Sequence, residues 1–82
     1  MNTFGSKLNE YLDILGITQV KAAQVAGCSR AMIYSVLNDE RNLSEDKFQT
    51  MLAELPFSET QADVLRKLYY ADKYPKGVIE KI

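Results

Sequence analysis

QVKAAQVAGCSRAMIYSVLN, residues 19–38, decides the fold, because nearly every position in it has a mechanical reason for its residue type. Val20, Ala23, Val25 and Ala26 supply a small apolar face at helical spacing. Gly27 falls where that helix must stop, and only a residue without Cβ enters the left-handed conformation there cheaply. Ser29 is a good N-cap, since its hydroxyl accepts from a backbone N–H two or three residues on. Met32, Ile33, Val36 and Leu37 then recur at i, i+1, i+4 and i+5, which buries one stripe and leaves Arg30, Ala31, Tyr34 and Ser35 outside. Small side chains at Ala22, Ala23 and Ala26 let the two helices cross closely. The stretch therefore reads as two short helices joined by a tight turn.

On the N-terminal side, residues 1–3 are expected to be loose. Phe4, Leu8, Tyr11, Leu12 and Leu15 follow at i, i+4, i+7, i+8 and i+11, an amphipathic helix with Gly16 as its stop. Its polar face holds Lys7, Glu10 and Asp13, and Thr18 caps the helix that comes next. On the C-terminal side, residues 38–42 form a polar connection rich in turn formers. Ser44 caps a fourth helix whose first turn carries Glu45 and Asp46, as the macrodipole favours. Phe48, Met51, Leu52 and Leu55 are its buried stripe, and Pro56 marks its end. Ser58 and Gln61 have capping-box spacing, with Phe57 placed to staple onto Ala62. A fifth helix continues through Val64, Leu65, Leu68 and Tyr69 to about Asp72, before Pro75 and Gly77 break it. The expected fold is all-α, a compact bundle of about five helices, in one domain over residues 1–82.

Composition bounds the chemistry. Eighty-two residues, 46% of them apolar, make one small core near the lower limit of what folds without staples. A single cysteine and no histidine exclude a disulfide framework and any standard zinc site, so neither metal nor other cofactor is expected. The usual general base is missing and no two carboxylates are placed by a recognisable motif, which argues against an enzyme. Cys28, just after the turn glycine, reads as a small buried hydrophobe. No apolar run is long enough for a membrane span or a signal peptide, and a cytoplasmic protein is expected. The net charge is −1. All 11 acidic residues lie outside residues 19–38, which carry only Lys21 and Arg30 as charged groups. A face without carboxylates suits an approach to phosphate.

The run 18–43 resembles the helix-turn-helix of the phage-repressor and Cro class, the Xre family. The matching residues are Thr18, Gln19, Ala23, Gly27, Cys28, Ser29, Arg30, Ile33, Val36 and Asn38. The likeness covers about residues 4–56, since Leu43 and Ser44 leading into Phe48, Leu52 and Leu55 also fit. Two positions depart from the pattern: Asp39 stands where the family usually has glycine, and Glu40 where a basic residue is common. The resemblance implies a lambda-repressor-like fold with the helix-turn-helix pair at 18–38, and sequence-specific binding of double-stranded DNA by a transcriptional regulator of repressor type. It places Arg30, Ala31 and Ser35 at base-contacting positions, with Tyr34 added. Gln19, Ser29 and Asn38 match positions that hold the phosphate backbone, and Arg41 is a further candidate.

Arg30 is the one strong base reader in such a helix, so a homodimer on a palindromic operator is expected. Its contact is expected from the fifth helix and the apolar tail, residues 57–82, where Val64, Leu65, Leu68, Tyr69, Tyr74, Val78, Ile79 and Ile82 exceed what one small core absorbs. The same exposed ending is what a chain leading into a further domain would have. An alternative from another class is a protein-interaction module of the same fold, such as the antitoxin of a toxin–antitoxin pair, which near-neutral charge and the Asp39–Glu40 pair favour.

Overall fold

The computed structural model describes residues 3–73. They form five α-helices and, among the described residues, no strand: α1 (Phe4–Leu15), α2 (Gln19–Ala26), α3 (Arg30–Leu37), α4 (Glu45–Glu54) and α5 (Glu59–Lys73). The starts of α2 to α5 are set by the side chains expected to set them. Thr18 accepts from the Lys21 N–H, Ser29 from Met32 and Ser44 from Lys47. At α5 the capping box closes in both directions. The Gln61 N–H donates to Ser58 Oγ at 3.1 Å, and the Ser58 N–H donates to Gln61 Oε1 at 2.9 Å. Gly16 and Gly27 end α1 and α2 at φ of 70° and 74°, a region that side-chain-bearing residues enter at a cost.

Helix α2 packs on α3 and α4, and α1 packs on α3 and α5. Leu8, Ile33, Val36, Leu43, Phe48, Met51 and Leu65 are fully enclosed between them. Phe4 and Phe48 meet edge to face at 5.4 Å, and Phe48 stacks on Tyr69 at 4.0 Å. Burying Tyr69 requires a partner for its hydroxyl, and the O–H donates to the Leu43 carbonyl, which ties α5 to the connection before α4. No buried side-chain nitrogen or oxygen among the described residues lacks a partner.

The details correct several expectations. The apolar face of α2 is made by Ala22, Ala23 and Ala26, with Val25 half-buried against the core as expected; Val20 points outward and is 45% exposed. On so short a helix three small side chains fill the crossing, and Val20 lies on the other side. Thr3 is not loose. Its hydroxyl oxygen caps α1 by accepting from the Ser6 N–H at 3.1 Å, and its O–H donates to Asp39 Oδ2. Helix α5 runs to Lys73, in keeping with the expected extent to about Asp72. Of the α5 residues proposed for an interface, Leu65 and Tyr69 belong to the core, while Val64 and Leu68 are half-buried against it. Met1, Asn2, the break at Pro75 and Gly77, and the tail from Tyr74 to Ile82 lie outside the described residues. No helix among the described residues is long and apolar enough to cross a membrane.

Candidate nucleic-acid interface

The outer face of α3 is determined by its inner one. Ile33, Val36 and Leu37 are buried, so the helical period turns Arg30, Ala31, Tyr34 and Ser35 to the opposite side. These four residues and Gln19, at the start of α2, line one open groove of about 490 Å³. Its walls are mainly carbon. Two other depressions are polar and contain carboxylates, one lined by residues that include Asn9, Asp13 and Thr18, the other by Glu59, Thr60, Asp63 and Arg66. The α3 groove has no acidic residue in its wall. All four residues expected at base edges thus share a single surface, together with one of those expected at phosphate.

Arg30 stands at the first position of α3, exposed, with no hydrogen bond or ion pair to any described residue. Its guanidinium is available for a ligand. Tyr34 is 57% exposed, and neither its ring nor its hydroxyl has a partner among the described residues. Ser35 is half-buried beside it, and Ala31 contributes a methyl group.

The remaining residues flank the groove at the ends of α3. Ser29 Oγ accepts from the Met32 N–H at 3.0 Å, which leaves the hydroxyl proton free to donate outward. Asn38 closes the other end. Its Nδ2 donates to the Tyr34 carbonyl at 3.0 Å, and its second amide proton remains available. Arg41 is exposed beyond the helix, outside the groove lining and without an ion pair among the described residues.

A set of contacts that sequence reasoning missed holds the C-terminal end of α3. Asp39 has φ of 60°, the left-handed conformation that explains why glycine suits this position. Aspartate tolerates that conformation better than most residues. Its carboxylate accepts from the Gly5 N–H at 3.0 Å and from the Thr3 hydroxyl, so it satisfies an orphan donor in the first turn of α1. The helices meet closely here. A Cβ on Gly5 would stand 2.5 Å from the Val36 carbonyl oxygen and 2.7 Å from that of Leu37. The signal was present as the Asp39 departure, although nothing in the sequence named its partners.

Cys28 lies half-buried in the turn, and burial pushes its thiol pKa up, against the pull of the Lys47 ammonium. A thiol held protonated is a poor nucleophile. Lys47, in the first turn of α4, is thereby placed near the turn between α2 and α3, which the sequence did not indicate. No group of three or more potential metal ligands occurs among the described residues. No protein-family model matches the chain, and no curated protein or solved structure matches it.

Proposed function

We propose that this chain is a sequence-specific double-stranded DNA-binding domain of the Xre, lambda-repressor-like kind, serving a transcriptional regulator of repressor type. The observation that carries the reading is the convergence of Arg30, Ala31, Tyr34, Ser35 and Gln19 on one acid-free groove along the outer face of α3. In this reading α3 enters the major groove, with its first turn against the base edges. Arg30 takes O6 and N7 of a guanine in bidentate fashion, and Ser35 and Tyr34 offer hydroxyls to neighbouring bases. Gln19, Ser29, Asn38 and Arg41 hold phosphates on either side and fix the register.

One such helix reads only a few base pairs, so the working assembly is a homodimer on a palindromic operator, its two recognition helices about 34 Å apart. Val64 and Leu68 are the α5 residues left partly exposed for that contact.

Selection of bound sites from a random duplex pool, followed by a salt titration on the selected site, tests the proposal. A palindromic motif should emerge. Of the cations without an ion pair among the described residues, the three in or just after α2 and α3, Lys21, Arg30 and Arg41, set a shallow salt dependence, a slope of log K against log salt of about −3 per copy. Failure to enrich any motif, with no salt-dependent binding to duplex, would refute it. That result would favour the protein-interaction reading, for which the net charge of −1 is the supporting observation.

A further inference from the structure

We infer that the groove between Arg30 and Tyr34 is a seat for the C5-methyl group of a pyrimidine next to the guanine that Arg30 reads. This rests on the DNA-binding reading above and names what that surface distinguishes. Tyr34 lies four residues after Arg30 and three after Ala31, so the three side chains stand on one face within a single turn. Arg30, Ala31 and Tyr34 all line this groove, whose wall is mainly carbon. In water this is unfavourable, and a ring 57% exposed without a partner among the described residues is an apolar surface awaiting one. Base pairs present mostly donors and acceptors in the major groove. The thymine methyl is the one apolar group an unmodified pair offers there. A mainly apolar groove beside a free guanidinium therefore complements a methylated pyrimidine beside guanine. A bare cytosine would leave the same wall facing polar edges.

Thymine and 5-methylcytosine both carry this methyl, and they differ at position 4, where thymine accepts and cytosine donates. The Tyr34 and Ser35 hydroxyls can do either.

The test uses the full chain and its selected site. Thymines within about three base pairs of the guanine sensitive to Arg30→Ala are replaced singly by uracil, which removes only the methyl. In a second set, cytosine at the same positions is compared with 5-methylcytosine. At one position uracil should weaken binding about fourfold per methyl lost, and 5-methylcytosine should bind about fourfold more tightly than cytosine. Both ratios should fall to about one in Tyr34→Ala, whose lost side chain is largely outside the core. A thymine duplex that binds more tightly than the 5-methylcytosine duplex supports methyl recognition with O4 read as well, and equal binding supports the methyl alone. Equal affinity for thymine and uracil at every position overturns the methyl seat while leaving DNA binding intact. No enriched site at all overturns both. The thymine–uracil comparison uses the parent protein and does not depend on the variant folding.

Discussion

Replacing Gly5 by alanine sets two opposed effects against each other, and the structure decides between them. Gly5 lies in the first turn of α1, where helix propensity alone favours alanine by about 1 kcal/mol. The added Cβ would meet backbone carbonyl oxygens of Val36 and Leu37 at 2.5 and 2.7 Å, and Asp39 Oδ1 at 2.7 Å. Only the aspartate side chain can swing away; the two carbonyls belong to the end of α3, so α1 and α3 must separate. Overpacking of this kind costs about 1–3 kcal/mol. Separation also stretches the Gly5 N–H bond to Asp39, worth about 1 kcal/mol at a part-buried site. The balance is a loss of about 1–3 kcal/mol, which in a domain this small lowers the melting temperature by about 5–20 °C. Thermal and urea melts followed by helical circular dichroism measure it. Ser6→Ala, at the next and exposed position, is the control and should melt near the parent. A Gly5→Ala protein that melts at or above the parent would mean that the close approach of α1 to α3 is wrong.

Gly27→Val should lose about 2 kcal/mol through backbone strain alone, since no atom lies within 4 Å of its Cβ site, and Gly27→Asn should lose less; equal melting of all three proteins would remove the strain argument. Arg30→Ala should reduce the preference for one guanine per half-site by about 1–3 kcal/mol with the fold intact. Asn38→Ala should weaken cognate and random duplexes alike, and similar effects of the two changes on both duplexes in a competition assay would refute that division of roles. Because burial raises the Cys28 thiol pKa, alkylation at mildly alkaline pH should be slower than for a free cysteine. The folded state holds this proton more tightly, so the thiol's contribution to stability is present below the ordinary thiol pKa and lost as pH rises through the folded value. A rate matching free cysteine across that range would show that the thiol is not shielded.

The features legible in the sequence were those written in local chemistry. Ser29, Thr18, Ser44 and the Ser58–Gln61 pair announce helix starts because a cap bonds within three residues of itself. Gly27 announces the turn because its conformation is a property of one residue. The outer face of α3 was legible for the same reason, as the complement of Ile33, Val36 and Leu37. What escaped notice was long-range. Thr3 and Gly5 reach Asp39 across 36 and 34 residues, and no periodicity encodes that meeting. The outward place of Val20 is not legible from hydrophobicity alone, because beside three alanines a larger side chain need not take the inner position. Leu65 and Tyr69 could not be told from Val64 and Leu68 by pattern, since all four fit one broad stripe. The Tyr69 hydroxyl bond to Leu43 is part of what distinguishes them.

The net charge of −1 is compatible with a DNA partner because of how the charges are arranged. Several carboxylates are engaged away from the α3 groove. Glu10 pairs with Lys7, Asp63 with Lys67, and Glu45 accepts from the Tyr70 hydroxyl. Asp39, next to α3 in sequence, accepts from the first turn of α1, where the helix dipole also favours a negative charge. Lys21, Arg30 and Arg41 have no such partners among the described residues. A polyanion approaching α3 within a Debye length of about 8–10 Å meets unpaired cations and a carboxylate-free groove, while charges farther away are screened. For the DNA-binding function proposed above, the overall balance would limit attraction at long range, keep non-specific binding weak and leave discrimination to the few groups on α3. With so few groups on α3, the methyl contact inferred above would add selectivity without adding charge, and the proposed second copy would multiply it.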